Sequence, residues 1–251
     1  MLAALLVGLL PAQPAVGADE GVGAAREPGR VAAAAEPYRM DLLEPGDFVS
    51  QSNDVQCIGA SLQMMVNITS PRDARTAKTQ RSLFMLARKL SWQPGDNRRP
   101  SPEWEPRGAS SRGWARALGQ LGVGSYVLRS EPTLEGALTL AARTMRFTGL
   151  PVGLLVWRGR HAWVMTGFRA TADPTLADGF QVTSVSVADP WYPRVSSIWG
   201  RSPRPGSRLK PEVLGRDFVP LAQRWRSGHG GRFLLVLPQL PHGRVAGALP
   251  V

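Results

Sequence analysis

The apolar positions of this chain recur with a helical period first and a strand period later. From Val55 to about Asn67, the residues Ile58, Leu62, Met65 and Val66 fall on one helical face, with Asp54 placed as the N-cap and Pro71 beyond the end. Thr76 to Leu90 repeats the pattern through Leu83, Leu86, Ala87 and Leu90. Arg112 to Leu121 reads as a shorter helix stopped by Gly122. Tyr126 to Arg129 reads as a strand, and Leu134 to Phe147 as a helix that starts at Pro132-Thr133 and is closed by Gly149. The period then changes. Pro151 to Trp157 is a continuous apolar run, Arg158-Gly159-Arg160 is a tight turn, and His161 to Phe168 returns as a second strand, together a β-hairpin. After an insert at 169–181, apolar Val182, Val185 and Val187 alternate imperfectly up to Asp189-Pro190, and Arg232 to Pro238 is the last strand. Helices followed by an antiparallel sheet predict an α+β fold.

The flanks carry no such period. Leu2 to Leu10 is a short apolar run broken by Pro11 and Pro14 and followed by small residues at Val16-Gly17-Ala18, the pattern of an export signal over 1–18. The run is far short of the roughly 20 apolar residues that span a bilayer, so a secreted or cell-envelope protein without stable membrane insertion is expected. Residues 19–37 read as a flexible spacer, 38–238 as a single domain, 239–251 as a loose tail, and the Pro-rich stretch 91–110 as a surface loop.

Composition narrows the function classes. The hydrophobic fraction of 43% is enough for a packed core. The formal net charge is +11, yet lysine occurs only at Lys78, Lys89 and Lys210, and the arginines are scattered with no dense run or reading helix. That distribution reads as a solvated surface, so no nucleic-acid partner is expected. One cysteine and three separated histidines give no metal-ligand cluster. With no Gly-rich phosphate loop and no Gly-x-Ser-x-Gly elbow either, no metal and no cofactor are expected. A single cysteine cannot form an internal disulfide. Cys57 is therefore a small buried hydrophobe, a partner in an intermolecular disulfide, or a free thiol with a task.

A nucleophilic cysteine needs its thiolate favoured by a helix N-terminus or an imidazolium. It also needs a base held by a third group, and a donor for the oxyanion. Cys57 falls in the first turn of the first predicted helix. Of the histidines, His229 in "SGHGG" and His242 in "LPHGR" sit in flexible contexts, and only His161 opens a core strand. Asp189 ends the strand after that hairpin, and Gln51 lies six residues before Cys57 with an amide donor.

Gln51, Cys57 six residues on, then Ala60, Leu62 and Met64 resembles the nucleophile motif of the family-39 cysteine peptidases. These are papain-like domains, best known as the double-glycine leader peptidases of bacteriocin-exporting transporters. The likeness spans roughly residues 49–191. It implies a papain-like fold, an N-terminal helical part packed on a C-terminal antiparallel sheet, and a Cys-His-Asp triad that hydrolyses a peptide or isopeptide bond. Carried over, the family's roles fall on Cys57 as nucleophile, His161 as base, Asp189 as its orienter and Gln51 as oxyanion donor. The chain departs from the family in having Gln56-Cys57-Ile58 where Asp-Cys-Gly is usual, and Ala162 directly after the histidine. It has no transporter portion, so the leader-peptide substrate is not carried over. The expected partner is a peptide or protein substrate, acted on by a monomer. Trp163, Trp191 and Tyr192 are candidates for the substrate cleft, while Trp157 and Trp199 default to core packing. Two other uses of the same cleft stay open: an inactive binding module with a structural Cys57, and a thiol-dependent acyl transferase.

Overall fold

The computed structural model describes residues 36–70, 74–92, 107–223 and 228–240. The export signal at 1–18, nearly all of the spacer 19–37, the middle of the 91–110 loop, His242 and the tail beyond residue 240 lie outside the described residues. In chain order the elements are β1 (Tyr38–Asp41), α1 (Cys57–Thr69), α2 (Ala77–Leu90), α3 (Ser111–Gln120), β2 (Tyr126–Glu131), α4 (Leu134–Thr148), β3 (Val152–Val156) and β4 (His161–Ala170). They continue with β5 (Val182–Ala188), β6 (Val195–Ser196), β7 (Gly200–Arg201), β8 (Ser207–Leu209), α5 (Pro211–Leu214) and β9 (Phe233–Pro238). The fold is α+β, built on a seven-stranded antiparallel sheet in the order β2-β9-β3-β4-β5-β8, with β1 added along β4.

Both faces of the sheet are covered, which is why β3 and most of β4 are buried at nearly every position. Ala162 and Val164 of β4, Leu155 of β3 and Leu234 and Val236 of β9 face α1 and α3. Trp163 and Met165 face the other way, into a core shared with Ala137, Leu138, Ala141, Ala142 and Met145 of α4. A register shift between Met165 and Gly167 adds one residue to the alternation, so Phe168 and Ala170 return to the α4 side. The sequence predicted a helical part on the sheet; it did not predict that α4 would lie on the opposite face from α1–α3.

Hydroxyl caps define three helix starts. Thr76, Ser110 and Thr133 accept hydrogen bonds from the N–H of Thr79, Gly113 and Gly136. Gly149, at a φ of 70°, closes α4 as its sequence position predicts. Glycines also set the helix spacing. A Cβ on Gly59 of α1 would stand 2.8 Å from the Phe84 Cβ on α2, and one on Gly153 of β3 would stand 2.5 Å from the buried Trp114 ring of α3. The three N-terminal helices are thereby drawn down onto the sheet, and the start of α1 onto the open end of β4.

Candidate active site

The loop ahead of α1 is stitched on two sides. The Gln80 side chain of α2 accepts from the Ser52 N–H and hydroxyl at 2.7 and 2.8 Å, and donates to the Ser50 carbonyl at 2.9 Å. On the other side the Gln51 N–H donates to the Pro190 carbonyl at 2.8 Å, and Arg194 donates to the Gln51 carbonyl at 3.2 Å. The helix that follows begins at Cys57 rather than Val55. The Val55 N–H is taken by the Asn53 side chain, which turns the chain once more before the helix. Asp54 is therefore not the cap; its carboxylate is exposed and pairs with Arg194 at 3.4 Å. Gln56 occupies the N-cap position without a side-chain cap, and the first intrahelical bond runs from the Ala60 N–H to the Gln56 carbonyl. The N–H groups of Cys57, Ile58 and Gly59 thus have no intrahelical acceptor, at the positive end of a 13-residue helix. Cys57 itself is half-buried, reachable from outside.

His161 and Asp189 arrive from the sheet. His161 opens β4 opposite Val156, and the register that pairs Val164 with Ala188 carries Asp189, one residue further, toward the start of β4. His161 Nε2 and Asp189 Oδ1 are 2.7 Å apart, and the same oxygen accepts from the Trp191 N–H at 2.8 Å. Asp189 is fully buried and His161 is only 4% exposed. Burial pulls the His161 pKa down, but hydrogen bonds to Asp189 and Cys57 and the charges of both outweigh it and raise it from 6.5 to about 9. With Nε2 on Asp189, the ring nitrogen left for Cys57 is Nδ1. A thiol at a helix start, an imidazole whose pKa is raised, and a buried carboxylate behind it have met across 104 residues of chain between Cys57 and His161.

Gln51 is buried, and its amide Nε2 donates to the Asn53 carbonyl at 2.6 Å, which leaves one of its two N–H bonds uncommitted. Of the cleft candidates, Trp191 stands edge-on to the His161 ring at 6.4 Å, and Tyr192 packs edge-on against Phe48 at 6.0 Å. Trp163 does not line the site: strand alternation sends it into the core under α4, where it is 1% exposed. Two residues went unmarked as site residues in the sequence. Trp157 stacks on the His161 ring with centroids 4.1 Å apart, and Arg194, which lies over Trp191 at 4.9 Å, clamps the loop holding Gln51. Arg194 falls in "DPWYPRVSSIWG", residues 189–200, where the aromatics stand out and the arginine gives no signal of its own; Trp157 ends the separate apolar run 151–157. His229 lies elsewhere, bonded to Ser130 of β2 at 2.8 Å. Among the described residues no cluster of three or more His, Cys, Asp or Glu could hold a metal, and no helix is long and apolar enough to cross a membrane.

No family model and no curated protein matches the chain. Among solved structures the chain is similar to one described provisionally as a C39-like peptidase from Bacillus anthracis, at 13% identity and a TM-score of 0.40, over 79% of this chain and 98% of that one.

Proposed function

We propose that this chain is a papain-like thiol hydrolase that cleaves a peptide or isopeptide bond. The observation that carries the reading is the partnership at His161: a buried ring bound to Asp189 on one side and interacting with Cys57, the first residue of an uncapped helix, on the other. In this reading the Cys57 proton rests on His161, and the sulfur attacks the substrate carbonyl carbon. Negative charge moves to the carbonyl oxygen, where the Cys57 N–H and the uncommitted N–H of Gln51 receive it. His161 then gives its proton to the leaving amine as the C–N bond breaks, and a thioester remains on Cys57. Water, losing a proton to His161, attacks that thioester; the acid leaves and the thiol–imidazole pair is restored. Asp189 holds the ring so that one nitrogen always faces the sulfur.

The test needs no substrate. Iodoacetamide should alkylate Cys57 rapidly at about pH 6, well below the ordinary thiol pKa near 8.5, and His161→Ala should abolish that low-pH labelling. Slow labelling that ignores His161 would leave a binding module with a structural cysteine and overturn the enzyme. An acceptor amine that captured the acyl group in place of water would make the same four residues an acyl transferase. We also propose export, on the apolar run Leu2–Leu10 and the small residues that follow it. Mass spectrometry of the mature protein should then show a new N-terminus near Ala18, and a retained Met1 on a protein inside the cell would end that proposal.

A further inference from the structure

The residue stacked on His161 is held in an unusual way. Trp157 leaves β3 with a φ of 55° and Arg158 follows with a φ of 58°, a left-handed backbone that residues other than glycine rarely adopt. One residue secures it there. The Asp217 carbonyl accepts from the Trp157 backbone N–H at 2.8 Å, and the Asp217 carboxylate accepts from the Trp157 indole N–H, also at 2.8 Å. Asp217 is itself fixed in the turn after α5, where its N–H and that of Phe218 donate to the Leu214 carbonyl. The Trp157 ring also lies against Trp199, nearly parallel at 7° and 6.1 Å away.

The stack is tight: Trp157 and His161 lie 4.1 Å apart between centroids and 22° from parallel. The face of an indole ring is electron-rich and attracts a cation placed over it. An indole whose N–H donates to a carboxylate is richer still, because the hydrogen bond pushes density into the ring. We propose that Trp157 and Asp217 are positioning residues for His161: Asp217 grips Trp157 at two points, and the Trp157 ring holds the imidazolium flat, charged and turned toward Cys57. The inference rests on the thiol–imidazole reading above and adds two residues to it. The charged groups facing His161 are Cys57 from α1, Asp189 after β5 and Asp217 after α5, with Arg216 acting on Asp217 and Arg158 and Arg160 exposed at the hairpin turn. Burial raises the Asp217 pKa, the Trp157 hydrogen bond opposes that, and the charges of Asp189 and His161 also act on it, which places Asp217 within electrostatic reach of the pair.

The experiment is the ratio of Cys57 alkylation rates by iodoacetamide at about pH 6 and about pH 10. The high-pH rate reports bare thiolate access and the low-pH rate the imidazolium-supported thiolate. Trp157→Leu should lower the ratio roughly 3- to 30-fold, the span expected for losing a cation–π contact from a desolvated site. Asp217→Asn keeps the shape and an acceptor but removes the charge, and should lower the ratio roughly 2- to 5-fold. Trp157→Phe keeps a ring to stack and should restore most of what Trp157→Leu loses. Rates at high pH should be unchanged in all three, which a merely structural loosening would not leave intact. Wild-type ratios in Trp157→Leu and Asp217→Asn, with His161→Ala still abolishing low-pH labelling, would overturn this inference and spare the site. A His161→Ala variant labelled like wild type would overturn both. If Trp157→Leu does not fold, as its thermal melt would show, Asp217→Asn decides the matter alone.

Discussion

A titration of the imidazole protons from about pH 5 to about pH 10 should place the two described histidines on opposite sides of the ordinary value near 6.5. Burial and the Arg232 charge both lower the His229 pKa. For His161 burial also pulls downward, but the hydrogen bonds and charges of Asp189 and Cys57 win and carry it to about 9. The sequence has three histidines, so the spectrum is simple enough to follow each ring. The same difference is a statement about stability. His161 binds its proton more tightly folded than unfolded, so the stability it contributes is complete below its unfolded value of 6.5 and is lost as the pH rises through about 9. At about 1.4 kcal/mol per tenfold in proton affinity, the gap is worth about 3 kcal/mol. The ring is nearly enclosed, so solvent screening removes little of that. With the Cys57 proton on His161, unfolding reprotonates the thiol below its ordinary value near 8.5 and offsets the His161 contribution up to there, so urea unfolding should show wild-type stability falling only as the pH passes about 9, and His161→Gln showing no such fall. Cys57→Ala should move the His161 inflection down but leave it above that of His229, because Asp189 still holds the ring. A wild-type His161 inflection at or below the ordinary value, or a stability loss that persists in His161→Gln, would refute the reasoning.

Three further substitutions separate roles within the site and the fold. Asp189→Asn should cut turnover on the order of 10²- to 10⁴-fold, by letting the ring settle in the wrong tautomer, with alkylation of Cys57 at high pH unchanged; equal losses in both would point to collapse instead. Gln51→Ala should lower turnover on the order of 10²- to 10³-fold, as loss of an oxyanion donor does, while low-pH alkylation stays near wild type. If the alkylation fell with it, Gln51 would belong to the scaffold of the loop and not to the oxyanion site. Gly153→Ala puts a methyl group 2.5 Å from the Trp114 ring and should cost about 1–3 kcal/mol by overpacking, a drop in Tm of about 2–4 °C per kcal/mol. An unchanged Tm would mean that α3 is not seated on β3 as described.

What the sequence disclosed, it disclosed at the ends of strongly periodic elements. Cys57, His161 and Asp189 each stand where an apolar period starts or stops, so a reading of periods was enough to single them out as candidates. Thr133 was legible as a helix start for the same reason. Asp54 is not the cap because the Asn53 side chain holds the turn before α1 by accepting from the Val55 N–H, while the Asp54 carboxylate faces Arg194. Strand β1 is too short to read: its four residues alternate half-buried and exposed over only two repeats, and it exists because β4 offers an edge at Gly167, where a Cβ would strike the Met40 carbonyl. The strands β6, β7 and β8 are two or three residues each, shorter than any pattern they could carry.

Trp157 shows where such a reading stops, and why. In the sequence it is the last apolar residue before "RGR", and a plain hairpin would keep it in the strand. Val156 is the residue paired with His161, so the two side chains share a face of the sheet. Extended backbone at the next position would turn the indole to the opposite face, away from the imidazole. The left-handed φ of 55° is what swings the ring back over His161, and nothing local favours it. The hydrogen bonds that hold it come from Asp217, 60 residues further on, in a short turn with no period of its own. The residues proposed to react are marked by the chain's own rhythm; the groups proposed to aim them are fixed only when distant segments close around the site.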